Sequence, residues 1–502
     1  MSSQDYINQK NIIRQPIIAV LGHIDHGKTS LLDAIRSSSV QKKEYGQITQ
    51  HIGASEVPLE AIKNLCKNEL KKFNFELKVP GLLFIDTPGH EAFTHLRERG
   101  SSIADFAVLV IDITKGIEKQ TIESIQILRE YKTPFLVAAN KIDLITGFRD
   151  FATLSFLESY EKQSENVQME LDKKVYELIG SLASHNFNAE RFDRVKNFTR
   201  EISIIPVSAK AKTGLSELLL FITAICQKFL EKNLTIDPTA PARGSIIELV
   251  NVKGLGITMN ALIYDGQLNK GDTIIFPTLN GLKKTKIKAL MKPKPLTEIR
   301  QASVNAFEYV DYVIASAGVK IIAPDIEDAI PGSPIIELTD SNIELDNKVY
   351  KEFEESIKDI LINSNSGIVV KADTLGSLQA LVKLLRQKGV EICSASIGKI
   401  TKEDIAKASA QGKNLPENGV ILAFHFDVDN DTLLEAERNG VTIIYSMIIY
   451  ELLDLYDKFL QNKKEMYKKQ FFSQINSPCK LLVLKNMCFR TNKPCIFGIR
   501  VL

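Results

Sequence analysis

The chain has no cysteine pair close enough to form a CxxC, no apolar run approaching a membrane span, and almost no net charge. Each absence removes a class of protein. The six cysteines (Cys66, Cys226, Cys393, Cys479, Cys488 and Cys495) are scattered along 502 residues. That usage fits reduced cytosolic thiols and speaks against a disulfide scaffold. The last three stand 9 and 7 positions apart, too loose for the usual spacing of zinc ligands. The 63 basic and 61 acidic residues leave +2, which excludes a strongly basic nucleic-acid coat but leaves room for local patches on RNA. No stretch reaches the roughly 20 apolar residues of a bilayer-spanning helix. Residues 1–14 are polar and lack the apolar centre of a signal peptide. The expectation is a cytoplasmic protein with no membrane contact. With 44% hydrophobic and 25% charged residues, the chain is long enough for three to five domains, each with its own core.

Residues 16–229 alternate apolar strands with helical stretches, as an α/β sheet does. The runs at 16–22, 82–86, 106–112 and 135–140 read as buried strands, each ending in a glycine or polar residue, where open α/β sheets place ligands. Residues 144–200 read as a charged, mostly helical insertion, long for one connection. The stretch 237–243 is linker-like, and 242–340 read as short strands with glycine turns, a small β-barrel. Alternation returns at 366–446, with strands at 367–371, 390–395, 419–427 and 441–445 and helices at 376–388, 402–410 and 431–438. Thr401 and Asp404 make a capping box for the middle helix. Residues 441–477 contain neither glycine nor proline, and Ile448, Leu452, Leu455 and Phe459 mark a helical stripe that gives way to lysines. This reads as a bridging helix of about 30 residues, ~45 Å long. The expected boundaries are 1–229, 236–343, 344–446, 447–476 and 477–502.

Gly22-His23-Ile24-Asp25-His26-Gly27-Lys28-Thr29 matches GxxxxGK[ST] between a strand and a helix that takes in Ser30. In that setting the glycines let backbone N–H groups wrap phosphates. Lys28 neutralises the β and γ oxygens, and the Thr29 hydroxyl faces Mg²⁺. Asn140-Lys141-Ile142-Asp143 follows another strand. The Asp143 carboxylate, an acceptor only, takes the N1–H and 2-amino donors of guanine, and adenine would leave it stranded. Ser208-Ala209-Lys210 supplies a backbone N–H, that of Ala209, suited to guanine O6. Each short motif is weak by itself; in this order behind a phosphate loop they are strong.

Asp86-Thr87-Pro88-Gly89 follows a buried strand, so Asp86 can hold Mg²⁺ through water and the Gly89 N–H can sense the γ-phosphate. Thr49 stands between the phosphate loop and Asp86 and can complete the magnesium shell when GTP is bound; from spacing alone it also reads as an ordinary loop threonine. His90 occupies the position where signalling GTPases place a water-orienting glutamine.

GHIDHGKT at 22–29, DTPGHE at 86–91, NKID and SAK together resemble the translational GTPases. GQITQHIGAS at 46–55, VKADTLGSL at 370–378 and the long helix resemble, more narrowly, the family of archaeal and eukaryotic initiation factor five B, counterpart of bacterial initiation factor two. Segments 57–80 and 144–200 resemble the archaeal and eukaryotic branch, and the resemblance covers 14–502. It implies a multidomain α/β protein: a P-loop GTPase domain, a β-barrel, a three-layer α/β domain, a long linking helix and the start of a second β-barrel. It further implies GTP and GDP as ligands, Mg²⁺ at Thr29, Thr49 and Asp86, a monovalent cation near Asp25, and His90 as the catalytic residue. The partners implied are both ribosomal subunits, initiator tRNA and other initiation factors, with a monomer off the ribosome. Gln47 departs from the family's usual second glycine before Ile-Thr. The two strand-like runs at 480–484 and 496–502 cannot close a barrel, so the complete factor is expected to continue past Leu502.

Three rival readings remain. A tRNA-delivering elongation factor would follow its nucleotide domain with two barrels, not with the alternation at 366–446. A non-hydrolysing scaffold would not need Lys28, Thr29, Thr49, Asp86 and His90 together. A GTP-regulated metabolic enzyme would carry a second catalytic cluster.

Overall fold

The structure, a computed structural model, describes residues 12–39, 53–73, 77–86, 97–98, 101–230, 234–252, 255–278, 281–294, 307–338, 364, 366–373, 375–424, 428–474 and 480–501. The chain divides into two compact units, residues 1–365 with 370–399, and residues 366–369 with 400–502.

In the first unit, β1 (Ile17–Leu21) is apolar and buried at every position, as a central strand covered on both faces must be. It leads into α1 (Lys28–Ser39), then β2 (Gly53–Pro58), α2 (Leu59–Leu65), α3 (Lys67–Phe73) and β3 (Gly81–Asp86). β4 (Phe106–Asp112), α4 (Lys119–Glu130) and β5 (Phe135–Asn140) follow. The insertion at 144–200 carries α5 (Phe156–Lys162), α6 (Glu165–Ser184) and β6 (Ala189–Arg191), ahead of β7 (Ile202–Pro206) and α7 (Leu215–Leu230). It is packed around Arg191, whose guanidinium meets Asp193 at 2.7 Å and Asp172 at 2.5 Å and lies 4.7 Å from the centre of the Tyr160 ring.

The seven strands form one sheet in the order β2-β3-β1-β4-β5-β7-β6. β2 and β3 are antiparallel and all other neighbours are parallel. The chain leaves β1 for β2 and β3 on one side and then crosses to β4 on the other. At such a switch point the loops at the carboxyl ends of neighbouring strands part and open a crevice. The register sets Val20 beside both Asp86 and Val108, and Asp112 beside Asn140, so the polar strand ends come out along one rim.

The second sheet of this unit contains β8 (Arg243–Val252), β9 (Gly256–Asp265), β10 (Thr273–Thr278), β11 (Gly281–Lys286), β12 (Ala289–Pro293), β13 (Phe307–Val310), β14 (Ala317–Ile322) and β15 (Pro334–Leu338). They are paired antiparallel in the order β11-β10-β15-β8-β9-β14-β12-β13. The period of two divides β9: Met259, Ala261 and Ile263 enter this sheet's own core, and Leu262 and Tyr264 join the core of the nucleotide-side sheet. Arg14 fastens the two together. Its guanidinium donates to Asp105 at 2.6 and 2.8 Å and to Ser316 Oγ at 2.8 Å, and Gln15 Nε2 donates to the Ser316 carbonyl at 2.6 Å.

Beyond residue 366 the elements alternate as β16 (Ile368–Ala372), α8 (Leu375–Gln387), β17 (Ile392–Ile397), α9 (Lys402–Asn414), β18 (Val420–Phe424), α10 (Asn430–Arg438) and β19 (Thr442–Ser446). In the second unit β18 and β19 pair in parallel, and Val369, Ile405, Ala408, Ile421, Ala436 and Val441 form a core. The α9 capping box is present: Thr401 Oγ1 accepts from the Asp404 N–H at 3.3 Å and Asp404 Oδ2 accepts from the Thr401 N–H at 2.8 Å.

The long helix is α11 (Ile449–Gln474), 26 residues, or about 39 Å at 1.5 Å per residue. Among its described side chains, Ile449, Leu452, Leu453 and Tyr456 are buried. The expected stripe through Ile448, Leu452, Leu455 and Phe459 is therefore corrected: Leu455 is 36% exposed, and Ile448 and Phe459 are only half-buried. Ile449, Leu453 and Tyr456 stand four and three positions apart and so share one helix face; the stripe read from sequence omits all three. The described part of 477–502 is an antiparallel pair, β20 (Leu481–Arg490) with β21 (Ile496–Val501), whose apolar side chains Val483, Phe489, Phe497 and Val501 are exposed. Among the described residues no helix is long and apolar enough to cross a membrane.

Candidate nucleotide-binding site

Gly22 turns the chain out of β1 at φ +135°. A Cβ there would stand 2.2 Å from the Val110 carbonyl oxygen in β4, so no larger residue fits. A short 3-10 turn, Ile24–His26, leads to Gly27 at φ +84°, where a Cβ would lie 2.6 Å from Asn140 Nδ2. The loop is thus pressed between the ends of β4 and β5. α1 starts at Lys28, so the N-terminal end of its dipole, which favours anions, lies at the loop. Lys28 is buried and its ammonium donates to the carbonyls of Gly22 at 2.7 Å and His23 at 2.9 Å. Thr29 is half-buried; Asp25 and Ser30 are exposed.

Asn140, at the end of β5, is buried and uses both ends of its amide. Nδ2 donates to the His26 carbonyl at 3.0 Å, and Oδ1 accepts from the Ala209 N–H at 3.1 Å. One side chain therefore ties the phosphate-type loop to the Ser208–Lys210 turn. Lys141 adopts φ +67° and donates to the Asp25 carbonyl at 2.6 Å while pairing with Asp112 at 2.8 Å. Burial alone would raise the Asp112 carboxyl, but the Lys141 ammonium and the Thr114 hydroxyl and N–H hold it below the usual carboxylate range. Asp143 Oδ1 accepts from Ser208 Oγ at 2.6 Å, and the same Ser208 oxygen accepts from the Ala211 N–H at 3.0 Å. Lys210 is exposed beside them.

Asp86 closes β3, in register with Val20 of β1 and with Gly53 of β2. Its backbone is described and its side chain is not; Thr49, Gly89 and His90 lie outside the described residues. Sequence reasoning assigned nothing to Asp112 or Glu118. Asp112 carried a signal, as the polar end of an otherwise apolar strand; Glu118, which accepts a hydrogen bond at 2.7 Å from the buried His26 ring, carried none.

Residues 13–228 match the family model described as elongation factor Tu GTP binding domain, and residues 341–457 match that of translation-initiation factor 2. The probable translation initiation factor IF-2 of Thermococcus onnurineus is 48% identical over 493 residues, 97% of this chain and 82% of that protein. The chain belongs to the translation initiation factor IF-2 family. The corresponding protein of Methanopyrus kandleri is 46% identical over 98% of this chain and 82% of its own length. The crystal structure of GDP-bound aIF5B from Aeropyrum pernix superposes with a TM-score of 0.80 at 42% identity, covering 98% of this chain and 82% of that one. As a member of the IF-2 family the chain is a GTP-dependent initiation factor whose nucleotide domain hydrolyses GTP. The elongation-factor and scaffold readings are not favoured.

Proposed function

We propose that the rim built on Gly22–Ser30, Asp86, Asn140–Asp143 and Ser208–Lys210 binds GTP and GDP, with the Gly89 N–H sensing the γ-phosphate, and that the chain joins ribosomal subunits and helps place initiator tRNA in the cytoplasm, together with other initiation factors. Lys28 supports the phosphates, exchanging its two loop carbonyls for phosphate oxygens. Thr29, Thr49 and Asp86 form an oxygen donor set of the kind that suits Mg²⁺, a hard cation that would neutralise the β and γ oxygens. The Asp25 carboxylate, exposed on the loop, is the group that would draw a monovalent cation. Asp143, held by Ser208, reads the guanine N1–H and 2-amino group, and the Ala209 N–H meets O6. His90 orients the attacking water once the ribosome has placed it.

The observation that carries this reading is the Asn140 amide, which joins the loop to the Ser208–Lys210 turn and so sets the proposed phosphate and base sites side by side. GTP turnover measured with and without assembled ribosomal subunits tests it. An unaided GTPase turns over at ~10⁻⁴ s⁻¹, and partner stimulation is on the order of 10⁵. His90→Ala should bind GTP normally and lose most of that stimulation; full ribosome-stimulated turnover in the variant removes His90 from the mechanism.

A further inference from the structure

Beside the loop, at the start of α4, three metal-ligating side chains converge. His26 Nε2 lies 2.7 Å from Glu118 Oε2, and His23 Nδ1 lies 3.4 Å from the same oxygen. The two imidazole rings are 5.1 Å apart and inclined at 42°. One candidate donor atom from each residue falls within 4.8 Å of the others. None of these groups is required by the magnesium set, which uses Thr29, Thr49 and Asp86.

We propose that His23, His26 and Glu118 form a site for a borderline-soft divalent transition metal of the Zn²⁺ class, distinct from the nucleotide's Mg²⁺. Two nitrogens and one carboxylate with water completing a tetrahedron is a recurrent zinc donor set, and nitrogen ligands select Zn²⁺, Co²⁺ or Ni²⁺ over Mg²⁺. Ligands about 2.0–2.1 Å from a tetrahedral zinc stand roughly 3.3 Å from one another. The His23–Glu118 pair already has that separation, and the His26–Glu118 pair needs to open by about half an ångström. The buried histidine is equally suited. The His26 side chain is fully buried, and its Nδ1 has no hydrogen-bond partner among the described residues. Glu118 alone holds its proton on Nε2, so a shift to the other tautomer frees the Nε2 lone pair. Side chains of His23 and Glu118 are 25% and 35% exposed, leaving a path for the ion and its water.

The consequence is mechanical. His23 and His26 belong to the phosphate-type loop, and Glu118 immediately precedes α4. A metal on all three would fasten that loop to the helix.

Co²⁺ titration of the nucleotide-free 502-residue chain, followed by visible spectroscopy, is the test. A tetrahedral site of two histidines, a carboxylate and water gives visible d–d bands far stronger than those of six-coordinate aqueous Co²⁺, complete at one equivalent, displaced by Zn²⁺ and resistant to millimolar Mg²⁺. His23→Ala and Glu118→Ala, the latter leaving every proposed nucleotide ligand in place, should each weaken binding by at least the ~10–100-fold that loss of even an outer-shell partner costs. Intense near-ultraviolet sulfur-to-metal charge transfer, unchanged in both variants, would mean that cysteines hold the ion and would overturn the proposal. So would the absence of one-equivalent binding. Circular dichroism of each variant separates loss of ligand from loss of fold. Because the readout is metal binding without nucleotide, its failure leaves the GTP reading standing.

Discussion

Lys141 Nζ stands 2.8 Å from Asp112 Oδ2, and the carboxylate side chain it meets is 1% exposed. The pair bridges the ends of β4 and β5, because the register sets Asp112 next to Asn140. Such a pair is weak evidence of net stabilisation, but removing one partner strands a buried charge.

Lys141→Met should therefore destabilise the nucleotide-side sheet by about 3 kcal/mol, measured by urea unfolding without nucleotide. Adding Asp112→Asn should recover part of the loss, and strict additivity of the two changes would show that the pair is not coupled. The pH dependence has a definite sign. The folded Asp112 carboxyl is held below its ordinary value, so its contribution is complete above the unfolded pKa near ~4 and disappears as pH falls through the lower folded value. Asp112→Asn should lack that acid-side loss.

Gly22→Ala tests whether the loop's departure from β1 has any slack. A Cβ 2.2 Å from the Val110 carbonyl oxygen, at a backbone angle that L residues avoid, costs at least about 2–3 kcal/mol through strain and displacement of β4. The variant should lose guanine nucleotide binding and show a lowered Tm. Wild-type affinity for GDP with an unchanged Tm would mean that the loop can rearrange freely.

The bond from Ser208 Oγ to Asp143 Oδ1 makes base selection testable with little disturbance. Asp143→Asn can keep an acceptor oxygen toward Ser208 and turn an amide toward the base. That amide opposes the guanine 2-amino group and suits the 2-oxo group of xanthine. GTP affinity should fall by roughly 1.5–3 kcal/mol, about 10–150-fold, while XTP affinity rises. Competition binding with both nucleotides decides it: a retained preference for GTP would take base reading away from Asp143.

Strands β1, β3, β4 and β5 were legible because each is an apolar run closed by a glycine or polar residue, a pattern that burial on both sheet faces imposes. The capping box at Thr401 and Asp404 was legible because both partners lie within one helical turn. What sequence did not reveal came from tertiary register. Asn140 stood out as the first residue of NKID, but that both its amide atoms hold loops together is disclosed only by the placement of residues 26, 140 and 209. Glu118 and Arg14 were invisible for the same reason: their partners, His26 and Asp105, are 92 and 91 positions away. In α11 the apolar residues outnumber those that can face a core, so spacing alone admitted a stripe different from the buried Ile449, Leu452, Leu453 and Tyr456.

The buried imidazole of His26 gives the last prediction. It faces Glu118, His23 and Asp112, of which the two carboxylates favour its charged form and His23 opposes it; burial outweighs the carboxylates and sets its pKa below the ordinary 6.5. The unfolded chain therefore binds the proton more readily than the folded one between that lowered value and 6.5. The neutral ring's contribution to stability is complete above the unfolded pKa and is lost as pH falls through the folded one. The Tm of the nucleotide-free, metal-free protein should accordingly decline as the pH is lowered from neutral into the mildly acidic range. His26→Gln, which cannot titrate, should start lower at neutral pH because it gives up the fitted ring. It should then converge on the wild type as the solution is acidified. Parallel Tm curves across that range would show that His26 does not take up a proton on unfolding, and would locate any acid sensitivity elsewhere in the chain.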